Sequence, residues 1–282
     1  MTQRIGLTLG NGSARGLAHI GVLKALEEKN IKIDFIAGSS IGALIGAAYA
    51  SGMSVERMEE LALEIDLKKI AQLFISKPAF TGLINGKSIK NYILSHIGNP
   101  DFSQLKIPFV AAATDIDTGE TVVLNKGSVV DAVRASISIP GIFAPVKMNN
   151  RLLIDGGVTL PLPIRLVKEM GGEKIIAVNV IPQPGKRKTS LNNSSSNNDF
   201  LGIKMVLKKG TNKLVSSWNL IGILMQSILI LENTLIRTEI ASQRPDVLIE
   251  PDVSSIKIFD FYRGKEVVDS GYKAAIKILN RR

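Results

Sequence analysis

Short apolar runs alternate with helix-like segments along most of this chain, and that alternation restricts its fold more than any other feature. Residues 5–9, 33–37, 107–113, 120–124, 152–154, 174–181 and 246–250 are strand-like. Between and after them, residues 15–29, 41–50, 129–136, 163–170, 214–240 and 265–279 read as helices. The first helix carries Leu17, Ile20, Leu23 and Leu26 at spacings of three, the mark of one buried face. Strands followed by helices predict an α/β fold with a mostly parallel central sheet and helices on both faces. No repeat and no clear boundary interrupts residues 1–282, so a single domain is expected. With 45% hydrophobic residues, 282 residues suffice to bury one large core.

Composition narrows the chemistry. There is no cysteine, and the two histidines are His19 and His96. Disulfides, thiolate chemistry and cysteine-based zinc sites are excluded, and no metal or other cofactor is expected. The N-terminal MTQRIGLTLGNG lacks the basic start, long apolar stretch and small-residue cleavage site of a secretory signal. A cytoplasmic location is the expectation, with no nucleic-acid partner.

Two motifs carry the functional argument. Gly38-Ser39-Ser40-Ile41-Gly42 is a G-x-S-x-G match between a strand-like run and a helix of small residues. In that setting the glycines Gly38 and Gly42 allow a sharp turn, and Ser40 stands at a helix start as a candidate nucleophile. A tight turn with an incidental serine has the same pattern. A hydroxyl needs a base. The α/β-hydrolase order is serine, acid, histidine, but here both histidines are early and none follows His96, which disfavours such a triad. His19 lies among Leu17, Ile20 and Leu23 and reads as a helix residue. A carboxylate base is the simpler choice, and Asp155 closes the strand-like run 152–154 ahead of Gly156-Gly157. By itself that aspartate reads rather as part of an Asp-Gly turn.

The second motif is the loop Gly10-Asn11-Gly12-Ser13-Ala14-Arg15-Gly16 between the first strand and helix. Its glycine spacing is one residue too long for the dinucleotide fingerprint, and no Gly-Lys-Ser/Thr follows as in a P-loop. Such a loop suits an oxyanion hole: backbone N–H groups around Gly12 and Ser13 can face a tetrahedral oxyanion, with Arg15 holding the loop or the anion.

These motifs in this order resemble the patatin-like phospholipase family. The resemblance rests on G-N-G-S-A-R-G (10–16), G-S-S-I-G (38–42), A-S-I-S-I-P-G-I-F-A-P-V (135–146) and D-G-G (155–157). The stretch 245–252 and the closing helix are also similar. It covers residues 4–181 well and 214–282 loosely. The resemblance implies Ser40 as nucleophile, Asp155 as base, and an oxyanion hole built by Gly10, Asn11, Gly12, Ser13 and Arg15. It implies hydrolysis of fatty-acyl esters of phospholipids or lysophospholipids through an acyl-enzyme. An acyltransferase with the same dyad, and a lipid-binding regulator without catalysis, are the other readings. Asn11 stands where the family usually has a third glycine, and asparagine tolerates positive φ better than most residues.

One segment falls outside the resemblance. Residues 182–213 hold seven lysines and arginines against one aspartate, around the polar run SLNNSSSNND. The segment reads as a flexible basic surface insertion suited to peripheral contact with an anionic membrane. Residues 214–231 are uncharged, but Ser216, Ser217, Asn219, Gln226 and Ser227 dilute them. They read as a buried or interfacial helix rather than a membrane span. Homo-oligomerisation stays open at this stage.

Overall fold

The alternation folds into a layered α/β structure in this computed structural model, which describes residues 3–74, 84–183 and 220–281. The chain enters through β1 (Ile5–Leu9), passes a 3-10 turn (Ser13–Leu17) and continues as α1 (Ala18–Glu28). β2 (Phe35–Ser39) runs into α2 (Ile41–Ala50), followed by α3 (Val55–Leu63), α4 (Leu67–Phe74) and α5 (Lys87–Ile97). β3 (Phe109–Asp115), β4 (Thr121–Leu124), α6 (Val129–Ser136), β5 (Val146–Met148) and β6 (Arg151–Asp155) come next. The chain closes with α7 (Ile164–Glu169), β7 (Lys174–Val178), α8 (Leu220–Gln243), β8 (Val247–Ile249) and α9 (Gly264–Leu279).

β8, β7, β1, β2 and β3 lie side by side and all parallel. The other three strands are antiparallel to their neighbours: β4 and β6 pair with β3, and β5 pairs with β6. The centre of the sheet is therefore parallel, as the sequence predicts, with an antiparallel margin.

The registers on β3 place two strands end to end. Ala111 and Ala112 face both β2 and β4, so those two strands lie on opposite edges of β3. Ala113 and Thr114 face both β4 and β6, so β6 also lies opposite β4. β2 and β6 thus share one edge of β3. β2 ends with Ser39 beside Ala112, and β6, running the other way, ends with Asp155 beside Ala113. The C-terminal ends of the two strands meet.

Strand periodicity assigns the two faces. Leu7, Leu9, Ile36, Ala111, Ala113, Ile176 and Val178 join one core with α1, α2, α6 and α9. Their neighbours Ala37, Val110, Ala112, Ile175 and Ala177 point the other way, against Ile164, Leu166 and Val167 of α7 and Ile236 of α8. Helices on both faces explain why the parallel strands are near-continuous apolar runs.

The structure adds α3, α4, α5 and β5 to the elements expected. The helix expected at 15–29 divides, its first residues tightening into the 3-10 turn before α1 starts at Ala18. Most of the basic segment and the start of the expected helix at 214 lie outside the described residues. Among the described residues, no helix is long and apolar enough to cross a membrane.

Candidate active site

Ser40 follows β2 directly and precedes the first residue of α2. Its backbone sits at φ 54°, ψ −123°. Holding a non-glycine residue there costs on the order of 1–3 kcal/mol. The turn closes because Gly42 has no side chain: a Cβ there would stand 2.1 Å from the Leu9 carbonyl oxygen. The same turn lifts the Ser40 hydroxyl toward the end of β6. Ser40 Oγ donates to Asp155 Oδ2 at 2.5 Å, and both residues are nearly enclosed, at 5% and 4% exposure.

The neighbours of this pair are backbone-fixed. Asp155 Oδ1 accepts the Gly157 N–H at 2.7 Å, and Thr114 Oγ1 donates to the Asp155 carbonyl. Gly156 lies flat on β3, where a Cβ would stand 2.2 Å from the Ala112 carbonyl oxygen. The stretch after α6 braces both partners. Ser136 Oγ accepts the Ser40 N–H at 2.9 Å, and the Ser138 carbonyl accepts the Asp155 N–H at 3.0 Å. Arg134, buried, donates to Ser138 Oγ and to the carbonyls of Asn85 and Ala144, which ties this stretch down. The 135–146 motif is conspicuous in the sequence, but the separate tasks of Ser136 and Ser138 are legible only in three dimensions.

Burial pushes the Asp155 carboxyl up to about 7, although the Ser40 hydroxyl and the Gly157 N–H favour its charged form. His19 is elsewhere. It is fully buried, its Nε2–H donates to the Gly10 carbonyl at 2.8 Å, and burial lowers its pKa to about 4. It is a neutral brace under the loop. His96 lies on α5 with its ring edge-to-face on Tyr92.

The glycine-rich loop divides its labour. Gly10 and Asn11 give their N–H groups to the carbonyls of Val178 and Pro161. They therefore shape the loop and are not available as anion donors. Gly12 and Ser13 direct no N–H to any acceptor among the described residues. These two backbone donors border the same cavity as Ser40 and Asp155. Ser13 stands at φ 52° and its hydroxyl donates to the Ile258 carbonyl. Arg15 is 1% exposed, not a solvated helix-start residue, and its Nε donates to the Ile256 carbonyl.

Two cavities meet at Ser40. One, of about 480 Å³, has a polar floor of Asn11, Ser13, Arg15, Asp155 and Glu232, walled by Met225, Ile228 and Leu229 of α8. The other is an apolar trench of about 700 Å³ between α2, α4 and α5, lined by Ile41, Leu44, Ile70, Ile93 and Phe143. It continues past Tyr92 and Phe261 toward His96 and Met58. Among the described residues, no cluster of three or more histidine, aspartate or glutamate side chains could hold a metal ion.

Residues 7–168 match the family model of patatin-like phospholipases. An uncharacterised NTE family protein of Mycobacterium tuberculosis is 37% identical over 179 residues, covering 64% of this chain and 49% of its own length. A second such protein from the same organism is 30% identical over 277 residues, 97% of this chain and 46% of the relative. Neuropathy target esterase sws of Drosophila melanogaster is 35% identical over 182 residues, 62% of this chain and 13% of that protein. The chain thus spans about half the length of the mycobacterial relatives and a small part of the fly protein. In structure, VipD from Legionella pneumophila superposes with a TM-score of 0.52 at 12% identity, over 99% of this chain and 67% of that one, a likeness of fold. The family match covers more than half of the sequence and takes in the glycine-rich loop, the serine elbow and the Asp155 turn: the chain belongs to the patatin-like phospholipase family.

Proposed function

We propose that this chain is a serine acyl hydrolase that cleaves fatty-acyl ester bonds of phospholipids or lysophospholipids through a Ser40–Asp155 dyad. The observation that carries the reading is the Ser40 hydroxyl donating to a buried carboxylate at the mouth of an apolar trench. Family membership and relatives that include a named esterase support the same reaction class.

The residues divide the reaction as follows. Asp155 takes the proton of Ser40 as Oγ bonds to the ester carbonyl carbon. The carbonyl oxygen becomes an oxyanion, met by the N–H groups of Gly12 and Ser13 and by the positive end of α2. As the intermediate collapses, the bond to the leaving alcohol breaks and Asp155 returns the proton to that oxygen, leaving an acyl-Ser40. Water then repeats the steps: Asp155 takes its proton, the acid is released and Ser40 regains its hydrogen. A carboxyl pushed up to about 7 suits a base that must accept and return a proton at neutral pH. The trench suits the acyl chain, because each buried methylene contributes about 0.8 kcal/mol.

Contact with a lipid surface belongs to the same proposal. Ile223, Leu224, Ile230 and Leu231 on α8 are exposed beside the residues that wall the polar cavity, and the basic segment 182–213 precedes that helix. The expected outcome is sedimentation with anionic but not zwitterionic vesicles, reversed at high salt.

The direct test uses a panel of short- and long-chain esters and phospholipids. The wild type hydrolyses them, a serine-directed phosphonate labels Ser40, and Ser40→Ala loses at least roughly a thousandfold in kcat/KM while staying folded. A Ser40→Ala protein that keeps most of its turnover sinks the proposal.

A further inference from the structure

The mechanism above leaves one acid of the polar cavity unused. Glu232 is the lone charged residue between positions 214 and 236, and α8 turns it inward until only 7% is exposed. It shares the polar cavity with Asn11, Ser40 and Asp155, and the Asn11 side chain donates a hydrogen bond to its carboxyl. A Cβ placed on Gly157 would lie 2.9 Å from Glu232 Oε1, 3.0 Å from Asp155 Oδ1 and 2.4 Å from Asn11 Nδ2. The two carboxyl oxygens are therefore no more than about 6 Å apart, on either side of the space that a glycine leaves free.

We propose that Glu232 is a positioning residue of this site: as a neutral carboxyl it holds Asn11, and so the loop 10–13, against Ser40, and losing its proton places a second negative charge where the oxyanion must form. The inference rests on the acyl-transfer reading given above.

The charged surroundings agree. Asp155 on β6 disfavours a charge on Glu232, while Arg15 on the 3-10 turn and the Asn11 amide favour it. Burial is the largest influence and Asp155 adds to it, and together they push the Glu232 carboxyl up to about 8. On α7, the Arg165 backbone N–H and Lys168 Nζ meet α8 two and three turns further on, at the Glu239 carboxyl and the Gln243 carbonyl. Two carboxyls this close hold a proton between them and titrate as a pair. Asp155 takes the charge the base needs, and Glu232 keeps the proton. The buried Asn11 Oδ1 has no donor among the described residues, and a protonated Glu232 in the same cavity would have a hydrogen to offer it. Once ionised, Glu232 can only accept, and its charge opposes the oxyanion across a poorly screened interior.

The experiment is a pH profile of kcat/KM on a soluble short-chain ester from pH 5.5 to 10, each profile scaled to its own maximum. It compares wild type, Glu232→Gln and Glu232→Asp, with Ser40→Ala as control. The wild type is expected to rise through about pH 7 and fall above about pH 8, losing roughly thirtyfold by pH 9.5. Glu232→Gln loses that alkaline fall and Glu232→Asp keeps one at a shifted pH. A Glu232→Gln profile that coincides with the wild type, or a wild type flat to pH 10, overturns the inference while leaving the dyad intact. Wild type and Ser40→Ala turning over equally would instead remove the acyl-transfer reading beneath it. If Glu232→Gln does not fold, Glu232→Asp decides: an alkaline limb unmoved from that of the wild type counts against the proposal.

Discussion

The two sides of Ser40 are made from different materials. On one side the polar cavity is fixed by backbone: strand ends, the glycine-rich loop and the turn at Asp155, each pinned by main-chain hydrogen bonds. On the other side the trench is bounded by side chains of α2, α4, α5 and the segment before β5. Proton transfer tolerates little positional error, and a ladder of backbone bonds supplies that precision. Chain binding needs area more than direction, and packed aliphatic side chains supply that. The difference predicts that substitutions on the polar side change rate with every ester, and that those in the trench change preference among esters.

The largest expected effect is Asp155→Asn. It should lose at least roughly a thousandfold in kcat/KM on short and long esters alike, and the double variant with Ser40→Ala should be no worse than either single. Additive losses would mean that the two residues do not act as a unit. Next comes Leu44→Trp, which fills the trench close to Ser40. Excluding about four methylenes removes about 3 kcal/mol, or on the order of a hundredfold, from a long-chain ester relative to a butyrate. Equal losses on both substrates would remove the distinction between the two sides.

A smaller effect is expected at the brace. Ser136→Ala takes away the acceptor of the Ser40 N–H, worth about 1 kcal/mol, and should slow all esters by roughly fivefold. A change in chain-length preference would put Ser136 on the trench side instead. The smallest effect is on stability. Folded Asp155 keeps its proton up to about pH 7, whereas an unfolded aspartate releases it near pH 4. The folded state thus binds the extra proton in that window, so stability falls as pH rises from about 4 to about 7 and stays lower above it. Asparagine has no proton to release. Asp155→Asn should melt a few degrees above the wild type at pH 8 and nearly with it at pH 4, as differential scanning calorimetry would register. Equal gaps at both pH values would show that Asp155 is not held in a dry site.

The sheet centre was legible because strands buried on both faces carry their signal in every residue, as in Ile5–Leu9 and Lys174–Val178. The region between α2 and β3 was missed, although Ser54 caps α3 and Val55, Met58, Leu61 and Ala62 mark its buried face. β5 was missed too, and there the signal was the Asn149-Asn150 turn, both residues at positive φ. Local turn chemistry made Ser40 and Asp155 candidates, and the order of the four motifs singled them out as a pair. The pairing of Gly10 and Asn11 with distant carbonyls has no local signal, since Val178 and Pro161 arrive from far along the chain. Glu232 had a faint one, a single acid in an otherwise uncharged helical stretch. What it faces depends on how α8 lies over the turn at Asp155.

The end-to-end meeting of β2 and β6 bears on how the site is made. Ser40 and Asp155 are 115 positions apart in sequence, yet adjacent residues of β3 hold the strand ends that carry them. Their spacing is set by a register step and not by the intervening chain. Residues 51–108, which supply much of the trench, can therefore be exchanged between relatives with the pair left in place. The site is also incomplete until β6 docks, 115 positions after the serine elbow. Turnover is then an all-or-none reporter of sheet closure: with β6 undocked, Ser40 has no Asp155 beside it and nothing should be hydrolysed.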